Sequence, residues 1–198
     1  MFDYENKYLA DGKKIIAGID EAGRGPLAGP VSVAIAIMPL DKDNIIEGIN
    51  DSKKLSEKKR DLLYDEIVKK AIAYHIELID EKTIDTINIL NATKLGMLTC
   101  LESIEPKPDI TLIDAVKLDT EYPTESIIKG DALSYSIACA SILAKVTRDR
   151  YMLELDKKYP EYIFKKHKGY GTKEHIEALK KYGKSPVHRE SFIKNFVK

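Results

Sequence analysis

The sequence predicts a mixed α/β sheet flanked by helices. Three observations carry this. Residues 14–20 form an apolar run that ends in an acid, Asp20, with Glu21 next to it. Residues 31–37, VSVAIAI, alternate large and small side chains with the period of two that marks a strand, and Pro39 closes it. The residues between them, 23–30, are too few and too rich in glycine and proline for a helix, so the two strands form an antiparallel pair. Downstream of that pair, helical and extended patterns alternate.

The elements follow in order. Ser56 caps a helix over about 57–73, in which Tyr64, Ile67, Val68, Ala71 and Ile72 recur at i, i+3, i+4, i+7 and i+8. Residues 74–79 read as a strand. A helix covers about 88–104 and stops at Pro106. Residues 109–114, DITLID, are a short strand that again ends in an acid, and 126–129 are a strand fragment. Residues 132–158 are a long helix that ends before Pro160. The remainder, punctuated by Gly169, Gly171, Gly183 and Pro186, reads as loops with two short helices, and 193–198 as a short amphipathic tail at the end of a helix.

The 198 residues suit one globular domain with a sizeable core. No run approaches the roughly 20 apolar residues that span a bilayer. The acidic start, MFDYE, does not read as a signal peptide. Cys100 and Cys139 lie in apolar or helical surroundings and read as reduced thiols of a cytoplasmic protein. The formal net charge is zero, but residues 1–140 hold 17 Lys+Arg against 25 Asp+Glu, and residues 141–198 hold 15 against 7. A net of −8 beside a net of +8 points to a polyanionic partner on the C-terminal part, facing an acidic site elsewhere.

The acids carry the chemistry. Successive residues of a regular strand face opposite ways, so Asp20 and Glu21 converge only if the chain turns there, which Gly23 and Gly25 permit. Asp114 ends a second apolar strand. Asp131 precedes the long helix, where an N-cap is the commonest role. If these ends lie together, carboxylates that close cannot all ionise unaided. Divalent cations relieve them, and an all-oxygen ligand set favours Mg²⁺ or Mn²⁺. Two such ions roughly 4 Å apart activate a water and stabilise an alkoxide leaving phosphorus. Asp149, between Arg148 and Arg150, reads as a surface ion pair. Residues 23–28, GRGPLA, also fit the dinucleotide fingerprint G-x-G-x-x-A, but that motif must open a helix. Here Gly29, Pro30 and a strand follow, and Asp20 and Glu21 would repel phosphates.

Six blocks together resemble ribonuclease HII: GIDEAGRGPLAGPV (18–31), DSKKLSEKKR (51–60), LIDAVKL (112–118), KGDALSYSIACASILAKVTRDR (129–150), YIFKKHKGYGT (162–172) and HRESF (188–192). They stand in the family's order across nearly the whole chain. The resemblance implies a ribonuclease H-like fold, a central five-stranded mixed sheet flanked by helices, with a core over about 1–158 and a small helical C-terminal part over about 159–198. It implies Asp20, Glu21, Asp114 and Asp131 as catalytic acids that bind two divalent ions, with Asp131 both capping the long helix and facing the metals. It implies that the backbone of Gly23, Arg24 and Gly25 reaches the nucleic acid at an RNA–DNA junction. Tyr170 resembles the tyrosine that stacks on the deoxyribose after the ribonucleotide. Lys53 and Lys145 fall in matched blocks as phosphate contacts. His167 falls in one as a substrate contact or a loop-shaping residue, and Lys54, Lys165, Lys166 and Lys168 are surface charge or further contacts.

The implied activity is hydrolysis of RNA in RNA–DNA hybrids and incision at ribonucleotides in duplex DNA, by a cytoplasmic monomer without membrane contact. The related ribonuclease HIII usually carries an extra N-terminal domain and lacks the Gly-Arg-Gly arrangement. Arg24 and a first motif starting at Gly18 favour HII. A non-catalytic binder on this fold would be marked by a lost acid, and another two-metal nuclease by indifference to ribonucleotides.

Overall fold

The computed structural model describes residues 1–197. Its centre is a five-stranded sheet built from β1 (Ile16–Ala22), β2 (Val31–Ile37), β3 (Ala73–Ile79), β4 (Ile110–Asp114) and β5 (Thr124–Ile127), in the order β3-β2-β1-β4-β5. β1 pairs antiparallel with β2, as the short glycine-rich connection requires, and parallel with β4. β2 and β3 are antiparallel, and β4 and β5 are parallel. The sheet is therefore mixed, as expected.

Among the described residues the α-helices are α1 (Asp3–Ala10), α2 (Glu57–Lys70), α3 (Glu81–Ile87), α4 (Ile89–Ser103), α5 (Gly130–Leu133), α6 (Tyr135–Lys158), α7 (Phe164–His167), α8 (Lys173–Tyr182) and α9 (Glu190–Ile193). Ser56 caps α2 by accepting from the Lys59 N–H. That helix ends three residues earlier than expected because β3 begins at Ala73. α1 and α3 carry no apolar stripe that announces them. Asp80 caps α3, and Asn88, with φ 66°, accepts from the Asn91 N–H to start α4. The expected helix over 132–158 is two helices. Ser134 breaks it, adopting extended backbone while its Oγ caps α6 at the Ile137 N–H. Glu5 of α1 braces this joint, accepting from Ser134 Oγ at 2.6 Å and from the Ser136 N–H at 2.9 Å. The tail expected over 193–198 falls at the end of α9, and Lys198 lies outside the described residues.

The large–small alternation of β2 decides which helix packs where. Val33, Ile35 and Ile37 face α4, meeting Met97, Cys100 and Leu101, and Ala34 and Ala36 face α6 and α2. Small side chains on that face let α6 lie close against the sheet. The closest point is Gly18, where a Cβ would stand 2.1 Å from the Ser136 carbonyl carbon and 2.3 Å from the Ile137 nitrogen. Backbone cannot step aside as a side-chain tip can, so Gly18→Ala is expected to cost about 2–3 kcal/mol by overpacking. That is a drop of roughly 4–12 °C in melting temperature for a chain of this size. An unchanged thermal midpoint would show that α6 is not seated against this strand.

Candidate active site

Register brings the acids together. β1 and β4 run parallel with Ile19 beside Ile113, so the next residues along, Asp20 and Asp114, end side by side at the carboxyl edge of the sheet. Alternation puts Asp20 on the face of Gly18, towards α6. Asp131 arrives from the short helix α5 just before α6. One oxygen from each of Asp20, Asp114 and Asp131 lies within 4.8 Å of the others. Asp114 Oδ1 accepts from the Gly130 N–H at 2.6 Å, which docks α5 against the strand end. Asp131 does not cap the long helix, contrary to expectation: Ser134 does, which leaves the Asp131 carboxylate for the site.

Glu21 differs. The strand runs on to Ala22, so no turn intervenes between the two acids and Glu21 stays outside the three-carboxylate group. Its Oε1 pairs with Arg24 at 3.4 Å, and its Oε2 is buried without a partner. Burial first, then the neighbouring Glu21 and Asp114 charges, push the Asp20 carboxyl well above its usual range. Burial and Asp114 likewise raise Asp131, and burial raises Glu21 against the pull of Arg24. The site is a set of hard oxygen donors, three of them strained by mutual charge and one orphaned. That composition fits divalent cations of the Mg²⁺ or Mn²⁺ class.

A cleft of about 250 Å³ adjoins these acids. Glu21, Gly23, Arg24, Gly25, Lys53, Lys145 and Tyr170 line it, so most of the residues singled out in the sequence share one cavity. Lys53 extends over the cluster, its Nζ 3.8 Å from Asp131. Burial lowers its pKa, but Asp131, Asp20, Asp51 and Asp114 together hold it above the ordinary value. Lys145 Nζ is held at 2.6 Å by both Asp149 oxygens. Asp149 is thus a buried partner of Lys145, with Arg60 4.0 Å away, and not the expected surface ion pair. His167 is also turned inward. Its Nε2 meets the Tyr162 carbonyl at 2.9 Å and its Nδ1 accepts from the Gly169 N–H at 3.2 Å. With both nitrogens engaged and only 7% exposed, it shapes the loop and is not available to a phosphate. Lys165, Lys166 and Lys168 pair with Asp156, Glu174 and Glu57, and Lys54 pairs with Asp51.

Sequence reasoning missed the residues that hold the cleft walls. Ser141 Oγ bonds Ser52 Oγ at 2.9 Å and also reaches Asp20. Arg148 and Arg189 are the largest fully buried side chains. Arg148 donates to the carbonyls of Pro30, Lys168 and Ala28 at 2.9, 2.9 and 3.0 Å. Arg189 donates to those of Gly29, Arg24 and Gly23 at 2.8, 3.0 and 2.7 Å. In a trans peptide the N–H points opposite to the C=O. Turning the Gly23 and Arg24 carbonyls inward therefore turns the N–H groups of Arg24 and Gly25 away from Arg189. Gly23, with φ 97°, is required within the protein, since a Cβ there would meet Arg148 Nε at 2.0 Å. Gly25 is not: a Cβ would find only Tyr170 Cε1, at 3.8 Å, with the rest open.

The family model for ribonuclease HII matches residues 17–195. The chain is 56% identical over 197 residues to ribonuclease HII of Caldicellulosiruptor bescii, covering 99% of this chain and 95% of that one. It is 60% identical over 198 residues to ribonuclease HII of Acetivibrio thermocellus, covering 100% and 77%. Among solved structures, the ribonuclease H2 from Pyrococcus horikoshii OT3 superposes with a TM-score of 0.75 at 28% identity, over 90% of this chain and 93% of that one. An acidic strand-end cluster, a Gly-Arg-Gly wall and this likeness over the full length converge: the chain belongs to the ribonuclease HII family and is a nuclease with ribonuclease H activity on RNA–DNA hybrids.

Proposed function

We propose that the enzyme also incises duplex DNA on the 5′ side of an embedded ribonucleotide, leaving a 3′-hydroxyl on the upstream strand and a 5′-phosphate on the ribonucleotide. The observation that carries this reading is Gly25. Nothing inside the protein excludes a side chain there, so the bare backbone is kept for something outside it. Among the described residues, the Arg24 and Gly25 N–H groups donate to no protein acceptor. They face away from Arg189, at the cleft that Glu21 and Tyr170 also line. Backbone donors in such a position can bond the 2′-hydroxyl that distinguishes ribose from deoxyribose. The Tyr170 ring, half exposed beside Gly25, offers a face for the next sugar.

Asp20, Asp114 and Asp131 would hold one divalent ion; Glu21 lies outside that group, but its charge reaches Asp20 and its Oε2 is buried without a partner, so it would help to hold a second beside Asp20. Bound there, the ions supply an activated water and charge for the departing 3′-oxygen. The chain supplies the rest. The Gly130 N–H fixes the Asp114 carboxylate and the Glu21 N–H fixes Asp20 Oδ1, at 2.6 and 2.7 Å. Lys53 and Lys145 stand at the cleft as cations for backbone phosphates, which makes binding salt-dependent. The buried arginines join the walls, so the whole chain acts as one catalytic unit. Arg189, from the C-terminal part, bonds the Gly-Arg-Gly backbone of the core. No helix among the described residues is long and apolar enough to cross a membrane, and Cys100 and Cys139 are free and buried.

The test is cleavage of a labelled duplex carrying one ribonucleotide, beside an all-DNA duplex, each with Mg²⁺, Mn²⁺ or EDTA. Metal-dependent incision 5′ of the ribonucleotide, with the all-DNA duplex intact, is expected. Equal cutting of both duplexes would refute the junction-sensing role of the Gly-Arg-Gly wall, and binding without incision would refute the metal site.

A further inference from the structure

Three buried histidines lie beneath the loop that carries Tyr170, and the acids of the active site do not use them. His175 is fully buried on α8, His188 is 3% exposed just before α9, and His167 stacks on His175 with ring centroids 4.5 Å apart. Their hydrogen bonds fix one proton on each. His188 Nδ1 accepts from the Ser185 N–H at 3.0 Å and lies 2.8 Å from Ser185 Oγ, so it carries no proton. The proton of neutral His188 is then on Nε2, which lies 3.0 Å from His175 Nε2. His175 Nε2 must accept there, which leaves its proton on Nδ1, 2.9 Å from the Tyr170 carbonyl. A carbonyl can only accept, so the assignment read from the Ser185 end agrees with the one read from the Tyr170 end. His167, bonded to the Gly169 N–H and the Tyr162 carbonyl, fixes the same loop from its other side.

We propose that His175 and His188 are positioning residues for Tyr170: a one-directional chain of hydrogen bonds from Ser185 through both imidazoles to the Tyr170 carbonyl sets where the Tyr170 ring stands in the cleft. This rests on the reading of Tyr170 as a substrate-stacking residue. The chain works only with neutral rings, because a second proton on either histidine would place two N–H groups against each other. Burial keeps them so, lowering both to about 4. The segment that begins the chain also places Arg189, one residue after His188, on the Gly23 and Arg24 carbonyls. Residues 185–189 thus fasten both halves of the cleft wall.

The first measurement is the tautomeric state of the ¹⁵N-labelled full-length protein by NMR at neutral pH. The proton is expected on Nδ1 of His175 and on Nε2 of His188; the opposite tautomers, or a charged ring, overturn the proposal. The second compares variants. His175→Leu removes the bond to Tyr170 and is expected to speed amide exchange at residues 169–172 and to slow incision at a ribonucleotide by up to about 10²-fold. It should add nothing to the loss that Tyr170→Ala causes on its own. His175→Asn, whose amide N–H can stand where Nδ1–H stood, should restore most of the rate, and it serves if His175→Leu does not fold. Unchanged exchange in His175→Leu, a His175→Asn variant no faster than His175→Leu, or losses that multiply with that of Tyr170→Ala, would sink the positioning role. If Tyr170→Ala cleaves normally, the stacking reading fails, while the tautomers and the exchange rates still decide whether the chain holds the loop.

Discussion

Asp20→Asn is expected to reduce cleavage by about 10³-fold or more in Mg²⁺, while duplex binding stays close to that of the native protein. In the proposed reading Asp20 is the acid that both ions share, with Asp114 on the adjacent strand and Glu21 next to it in the chain. Losing several kcal/mol of transition-state stabilisation from such a site is a loss of three or more decades. In the same reading, binding rests on cations and backbone donors elsewhere in the cleft, so it is expected to survive. The same variant has a signature in stability. The Asp20 carboxyl is raised in the folded state by burial and by its acidic neighbours. For a raised acid, the folded protein binds the extra proton. The favourable contribution is present below the unfolded pKa and is lost as pH rises through the folded one. Metal-free protein therefore loses stability at this cluster as pH rises, first to burial of the charged form and then to the neighbouring acids. Divalent ions should raise the native melting temperature. Asp20→Asn should raise the metal-free melting temperature and abolish most of the metal-dependent gain. Native-rate cleavage, or a metal-dependent gain that survives the substitution, would remove Asp20 from the metal site.

What the sequence made legible follows from locality. The β1–β2 pair was readable because a short glycine-rich connection leaves two period-two strands little choice, and Asp114 was readable as the end of an apolar strand. That these ends meet depends on a parallel pairing across some ninety residues, which no local pattern encodes. The resemblance supplied it. The break at Ser134 was hidden because the apolar pattern continues through it, and the cap became visible only with Glu5 packed against the joint. Burial of charge was the other blind spot. Asp149 read as a surface residue between two arginines, yet it is buried with Lys145. Arg148 and Arg189 sat inside matched motifs without a role, because arginine is ordinarily exposed and its burial is set by tertiary contacts. His167 stayed open between a substrate contact and a loop-shaping residue, since a histidine among lysines in a glycine-rich loop can be either. The fold turns its ring inward, where both nitrogens are occupied.

Arg189→Met is expected to destabilise the protein by about 3–5 kcal/mol and to cost more activity on a ribonucleotide-containing duplex than global stability accounts for. The guanidinium is fully buried and makes three charge-assisted bonds, to the Gly29, Arg24 and Gly23 carbonyls. Each such bond contributes about 1.5–3 kcal/mol, and a carbonyl left buried and unpaired costs on the order of 1–3 kcal/mol. Removing the desolvated cation offsets part of this loss, so the net is smaller than the sum. At roughly 2–4 °C per kcal/mol, the midpoint should fall by about 6–20 °C. Arg189→Lys separates charge from geometry. An ammonium keeps the positive charge, but it cannot present a planar fork to three carbonyls at once. If the fork is what turns the Arg24 and Gly25 N–H groups into the cleft, the lysine variant, assayed well below its melting temperature, should still lose discrimination between ribonucleotide and all-DNA duplexes. A lysine variant that folds, discriminates and cleaves like the native enzyme would mean that the Gly-Arg-Gly backbone holds its orientation without Arg189, through the Gly29 N–H bond to Val187 and the Leu27 N–H bond to Gly169.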